Sequence, residues 1–155
     1  MLPKKRRLFK ILAAENDMKI YVAGPLSAEW DREASEAVAS LCESLGFSTF
    51  LPHRDAGLLE KYEASEIERI FKADRDALYE CQLVVAILSG PDVSSGTSWE
   101  IGYAAALNIP IIGLITDKKL LEHLNTMIAG STTLVFSHEE LSKVLIERVN
   151  NAAQH

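Results

Sequence analysis

The sequence predicts an α/β domain of the flavodoxin-like (Rossmann-like) kind, a three-layer sandwich around a five-stranded parallel sheet. Two observations and one general rule carry that prediction. From Met18 onward, short apolar runs alternate with helix-like stretches in the pattern βαβαβαβαβα. The run Leu83–Leu88 (LVVAIL) is continuous and β-branched, as a strand covered on both faces requires. Strands that alternate with helices pair in parallel through helical crossovers. Five strands suit the order 2-1-3-4-5, in which ligands bind beyond the carboxyl ends of the strands, near the switch point.

Each element has a local reason. Lys19–Ala23 (KIYVA) is a strand that stops at the breaker Gly24-Pro25. Glu29–Leu45 is a helix with apolar residues at Val38, Leu41, Cys42 and Leu45, ended by Gly46. Phe47–Leu51 is a second strand closed by Pro52, and residues 53–62 form a loop. Ser65–Cys81 is a helix whose apolar positions are Ile67, Ile70, Phe71, Leu78 and Cys81. Leu83–Leu88 is the third strand, and the turn-rich stretch Ser89–Gly96 leads into a helix over Thr97–Leu107. Ile109–Ile115 is the fourth strand, Asp117–Met127 a helix, Thr132–Phe136 the fifth strand and His138–Ala153 a final helix. Residues 1–17 read as an extension ahead of one domain spanning 18–155.

Composition and charge exclude whole classes of function. The chain has 155 residues, with 22 acidic against 16 Lys and Arg. Residues 1–17 hold five basic and two acidic side chains, so the remainder carries a net charge of −9. Such a domain repels a polyanion, which argues against nucleic acid as the partner while permitting a small anion in a local pocket. No apolar run approaches the roughly 20 residues that span a bilayer, so no membrane association is expected. The stretch Leu8–Ala14 is short and interrupted by Lys10, unlike a secretory signal. Cys42 and Cys81 read as free thiols in a reducing compartment, so a cytoplasmic protein is expected.

Familiar cofactor and catalytic signatures are missing. There is no Gly-x-x-x-x-Gly-Lys-Ser/Thr loop and no Gly-x-Gly-x-x-Gly after a strand. Gly96-Thr97-Ser98-Trp99-Glu100 ends in Glu and so misses the nucleophile elbow. His53, His123, His138 and His155 lack metal-ligand spacing and read as surface or capping residues. Neither a cofactor nor a metal is expected. The places where a phosphoacceptor domain needs acidic residues hold Gly24-Pro25 and Ser89-Gly90.

A polar cluster remains at the predicted ligand edge: Tyr21 from the first strand, Asp74 and Asp76 before the third, then Asp92, Ser94, Ser95, Thr97, Ser98 and Glu100. Taken alone, Thr97–Glu100 fits a capping box, with Glu100 bonding back to the helix's first amide, and similar boxes occur at Ser65–Glu68 and Ser137–Glu140. Against that reading, Gly96 and the small hydroxyl residues beside it form an anion-tolerant turn at a helix N-terminus on the ligand edge.

The segments Lys19–Leu26, Asp74, Pro91–Ala104 (PDVSSGTSWEIGYA) and Asn125-Thr126-Met127 resemble the nucleoside 2-deoxyribosyltransferase family, over Met18 to about Phe136. The specific part is Gly-Thr-x-x-Glu-x-Gly-x-Ala. The family cleaves the N-glycosidic bond of deoxynucleosides, and its relatives include hydrolases of nucleoside 5'-monophosphates. The resemblance implies that Glu100 is the nucleophile, that Tyr21 holds its carboxylate and that Asp74 assists departure of the base. Gly24, Pro25, Asp92, Ser94, Gly96 and Thr97 would line the substrate site. Asn125 and Met127 match a segment that a neighbouring subunit lends in the family, which implies a homodimer or higher homo-oligomer with shared sites.

The chemistry is coherent with those roles. A departing base leaves positive charge on the sugar, which an ionised carboxylate stabilises and then captures, while a second carboxyl supplies a proton. The resulting ester passes to a new base or to water. One position departs from the pattern. Six residues before the nucleophile the transferases commonly carry an Asp that bonds the 5'-hydroxyl, whereas this chain has Ser94, as the monophosphate hydrolases do. Asn125 matches the transferases, and the stretch Gly24-Pro25-Leu26-Ser27 lacks the Ser and Arg that the hydrolases use for phosphate, so the resemblance favours a transferase, with a 5'-monophosphate N-hydrolase as the alternative. A non-catalytic nucleotide-binding module, with Glu100 as a helix cap, is the further alternative.

Overall fold

Successive side chains of a strand point to opposite faces, and this alternation sorts the core into two halves. The computed structural model describes residues 18–89 and 92–152, so the expected extension 1–17 lies outside the described residues. In β1 (Lys19–Ala23), Ile20 and Val22 pack toward α1 (Glu29–Ser44) and α6 (His138–Ala152). Tyr21 and Ala23 face the other side, toward α3 (Ala64–Glu80) and α4 (Ser95–Ala106). β3 (Leu83–Ile87) repeats the pattern with Leu83, Val85 and Ile87 on the first face and Val84 and Ala86 on the second. All five of its residues are buried, which is why its sequence shows no polar alternation.

The sheet is parallel throughout, in the order β2-β1-β3-β4-β5, with β2 (Ser48–Phe50), β4 (Ile111–Leu114) and β5 (Thr133–Val135). Tyr21 lies opposite Phe50 on one side and Val84 on the other. The predicted order and layers are those of the structure. Gly46, at φ +94°, turns the chain out of α1 in a conformation that favours glycine. Gly113 in β4 is a packing requirement instead, because a methyl group there would lie 2.7 Å from Leu88 Cδ1 and 3.1 Å from Leu134 Cδ2.

Four local expectations need correction. The helix predicted from Thr97 begins at Ser95, because the Ser94 hydroxyl caps it by accepting from the Thr97 amide at 3.2 Å. That places Glu100 beyond the first turn, so the capping box at Thr97–Glu100 does not form. The box at Ser65–Glu68 is also absent, since α3 starts at Ala64 with no side-chain cap. At Ser137–Glu140 the Ser137 hydroxyl accepts from the Glu140 amide, and the Glu140 carboxylate accepts from the amide of Phe136 rather than of Ser137.

The third correction is in the loop 53–62, which opens with one helical turn, α2 (Pro52–Asp55). Proline occupies its first position and Asp55 accepts from the Leu51 amide. The last is the helix expected over Asp117–Met127, which is two pieces. A 3-10 helix spans Lys118–His123, and α5 (Thr126–Ser131) starts afresh with Asn125 as its cap. Asn125 Oδ1 accepts from the Met127 amide at 2.9 Å, and that local bond competes with a continuous helix.

Candidate active site

The site is built where the α3–α4 face meets the carboxyl ends of β1 and β3. Tyr21 is fully buried in the middle of β1, its ring stacked on Phe50 with centroids 5.4 Å apart. Its hydroxyl emerges beneath α4 and donates to Glu100 Oε1 at 2.6 Å. Glu100 reaches that point because the Ser94 cap sets the start of α4, which turns its sixth residue toward the sheet. Asp74 comes from α3, in register with Phe71 one turn earlier. Phe71, Asp74, Gly96, Trp99 and Glu100 together line a cleft of about 270 Å³ between the two helices.

The electrostatics of this cleft are those of two acids poorly served by water. Burial pushes the Glu100 carboxyl up to about 8, opposed by the Tyr21 hydrogen bond and reinforced by the negative charge of Asp74. Burial pushes Asp74 up to about 6. Asp74 Oδ1 is buried without a hydrogen-bond partner, an unmet acceptor at the cleft. The Tyr21 hydroxyl is held far above its ordinary value by burial and then by the two carboxylates, so it acts as a fixed donor. At neutral pH the pair of the free enzyme shares one proton and one charge, with the proton resting on Glu100, so a reaction in which Glu100 attacks and Asp74 donates needs that proton passed to Asp74 or to the base.

Of the residues singled out in the sequence, Tyr21, Asp74, Gly96 and Glu100 come together here. Ser94 and Thr97 are committed to each other at the α4 cap, with 2.7 Å between their hydroxyls and Thr97 buried. Gly24 and Pro25 follow the carboxyl end of β1, half-buried, with Gly24 packed against Ser35 and Ile87. Asp92, Asn125 and Met127 lie elsewhere, in a separate cleft of about 350 Å³ floored by Leu88, Ile115 and Ile128. Asp76 pairs with Arg75 at 2.7 Å and does not line the Glu100 cleft. Phe71 and Trp99 are cleft residues that sequence reasoning passes over. Their signal was present, since Phe71 stands one helical turn before Asp74 and Trp99 adjoins Glu100, but apolar helix positions read first as core. No group of three or more His, Cys, Asp or Glu among the described residues is placed to hold a metal ion.

A family model for nucleoside 2-deoxyribosyltransferases matches residues 20–147, every element from β1 to α6. The chain belongs to the nucleoside 2-deoxyribosyltransferase family. Members of this family act on the N-glycosidic bonds of nucleosides or nucleotides, and the chain is an enzyme of that type.

Solved structures agree on the deoxyribosyltransferase fold. A conserved protein of Enterococcus faecalis V583 is 27% identical with a TM-score of 0.69, the match covering 84% of this chain and 98% of that one. A 2-deoxyribosyltransferase of Bacillus psychrosaccharolyticus is 21% identical with a TM-score of 0.71, over 80% and 90%. A CMP N-glycosidase of Clostridium botulinum is 23% identical with a TM-score of 0.56, over 82% and 97%. The last two likenesses concern the fold. No curated protein sequence matches the chain. None of its described helices is long and apolar enough to cross a membrane.

Proposed function

We propose that the enzyme cleaves the N-glycosidic bond of 2'-deoxynucleosides by double displacement at Glu100. The carboxylate attacks the anomeric carbon, the bond to the base breaks, and a glycosyl ester forms. A second base or water then attacks the ester carbon and releases Glu100, with net retention. Asp74 protonates the departing base and recovers its proton from the incoming acceptor. Tyr21 holds Glu100 in line and stabilises its charged form. The observation that carries the reading is the 2.6 Å hydrogen bond from Tyr21 to Glu100, with the unpartnered Asp74 carboxyl at the same cleft.

Ser94 favours a second reading for the 5' end of the substrate. A carboxylate at the head of α4 would repel a 5'-phosphate, whereas a hydroxyl beside a helix N-terminus tolerates one. A 2'-deoxynucleoside 5'-monophosphate with water as acceptor is therefore the rival substrate. Incubation with deoxynucleosides plus a second free base, and separately with deoxynucleoside monophosphates, separates the two by chromatography of the products. Release of base from neither would sink both. A 2'-fluoro-substituted substrate should leave a sugar adduct on the peptide containing Glu100, seen by mass spectrometry.

Asn125 and Met127 line a different cleft from Glu100, and Met127 is 79% exposed. This supports an assembly in which they complete the site of a second copy. Light scattering should then give a mass of at least two chains, and mixing a Glu100→Gln variant with a Met127→Ala variant should restore part of the activity. The two buried free thiols fit a reducing, cytoplasmic setting.

A further inference from the structure

Four aromatic or cationic side chains on the outer sides of α3 and α4 form one continuous stack at the mouth of the Glu100 cleft. Arg75 lies over the Phe71 ring at 5.6 Å, and Phe71 and Trp99 meet in a T-shaped contact at 5.6 Å and 68°. Trp99 in turn stacks on Tyr103 at 5.2 Å, the rings within 9° of parallel. Phe71 and Trp99 are each 46% exposed, yet both are braced on their protein-facing sides. Half-exposed, braced aromatic rings in a cleft with an unpartnered buried carboxyl suit a flat heteroaromatic ligand with a polar edge. Stacking binds the face of such a ring, and the carboxyl meets its nitrogens.

We propose that Trp99, backed by Phe71 and Tyr103, is the stacking face for the nucleobase, and that it makes the site favour bicyclic purines over single-ring pyrimidines. This deepens the reading of the cleft as the glycosidic site and rests on it. Bracing matters because a side chain already held by its neighbours loses little freedom when the base arrives. The bicyclic preference follows from area, since a larger ring covers more of the indole face and displaces more water from it. The stacking wall stands beside the two acids, so it sets the anomeric carbon between the glycosidic nitrogen and Glu100 and turns a ring nitrogen toward Asp74.

The chain has two tryptophans, Trp30 and Trp99, and Trp30 is 74% exposed on α1 and does not line the cleft. A Trp30→Phe variant therefore carries Trp99 as its single indole. Titration of that variant with free adenine should quench its fluorescence saturably, and thymine should do so more weakly. Trp99→Ala should raise KM for deoxyadenosine roughly 5- to 150-fold, the span of base–aromatic stacking, and KM should rise far more than kcat falls. Trp99→Phe should recover most of the loss. If neither base alters the fluorescence, or Trp99→Ala leaves KM within two-fold, the stacking role is wrong, even where Glu100-dependent turnover persists. Saturable quenching by adenine in a protein that shows no turnover would support the base site while removing the proposed reaction. Fluorescence that shifts with protein concentration and ignores added base would overturn the proposal, because a second copy would then cover Trp99.

Discussion

Replacing Glu100 with Gln should stabilise the protein as it disables it, and the gain should depend on pH. In the unfolded chain this carboxyl titrates near its ordinary value of 4.5, whereas burial raises it to about 8 in the folded enzyme. A group raised on folding gives stability that is intact while both states are protonated and is lost as pH climbs from the unfolded toward the folded value. Across that window the unfolded state releases a proton that the folded state keeps. The cost is about 2 kcal/mol at pH 6 and grows to about 4 kcal/mol at pH 8, because each pH unit crossed adds about 1.36 kcal/mol.

Gln has the same shape and retains an oxygen to accept from Tyr21, but it has no proton to lose. Urea unfolding of both proteins at pH 6, 7 and 8 should therefore show the variant more stable, by a margin that widens with pH at unchanged m-value. Its turnover should fall by at least about three decades, as expected when a nucleophile is removed. A margin that stays constant between pH 6 and 8, or a wild type that is the more stable at pH 8, would refute the argument that Glu100 is a buried acid.

Four other outcomes follow from the same geometry. The kcat/KM profile should be bell-shaped, with limbs near 6 and 8 belonging to the Asp74–Glu100 pair, and Asp74→Asn should lower the remaining ionisation because a negative charge beside Glu100 is gone. Tyr21→Phe should raise the Glu100 ionisation further and cut kcat/KM by about one to two decades, as loss of a hydrogen bond to a charged group of about 1.5–3 kcal/mol dictates; a profile that does not move would argue against the contact. Gly96→Ala should fold normally or gain up to about 1 kcal/mol, since no atom lies within 4 Å of the added methyl, while narrowing the cleft and raising KM. Gly113→Ala should lower stability by about 1–3 kcal/mol in a melt or urea curve, through overpacking against Leu88 and Leu134, without changing KM.

The layers and the strand order were legible because they rest on long-range regularities of hydrophobic pattern. Leu83–Leu88 announces a central strand by lacking polar positions, and the breaks at Gly24-Pro25, Gly46 and Pro52 mark where elements stop. What stayed hidden was decided by single hydrogen bonds. The choice between Ser94 and Thr97 as the head of α4 depends on which hydroxyl the chain turns inward, and both residues suit the role equally. That choice moves Glu100 by most of a turn, from a capping position to the sheet. The break between the 3-10 helix and α5 turns on the Asn125 cap in the same way. The strand pattern put Tyr21 and Glu100 on the same edge, but only the family resemblance paired them, since nothing in local spacing relates residues 79 positions apart.

That long separation has a consequence for how the enzyme is lost and regained. The donor belongs to the first described strand and the acceptor to a helix assembled after the third, so no autonomous fragment holds both. A chain missing either half should therefore show no turnover. During refolding, turnover should lag behind helix formation and return only when β1 docks beside β3, which makes catalysis a direct reporter of the closing of the sheet.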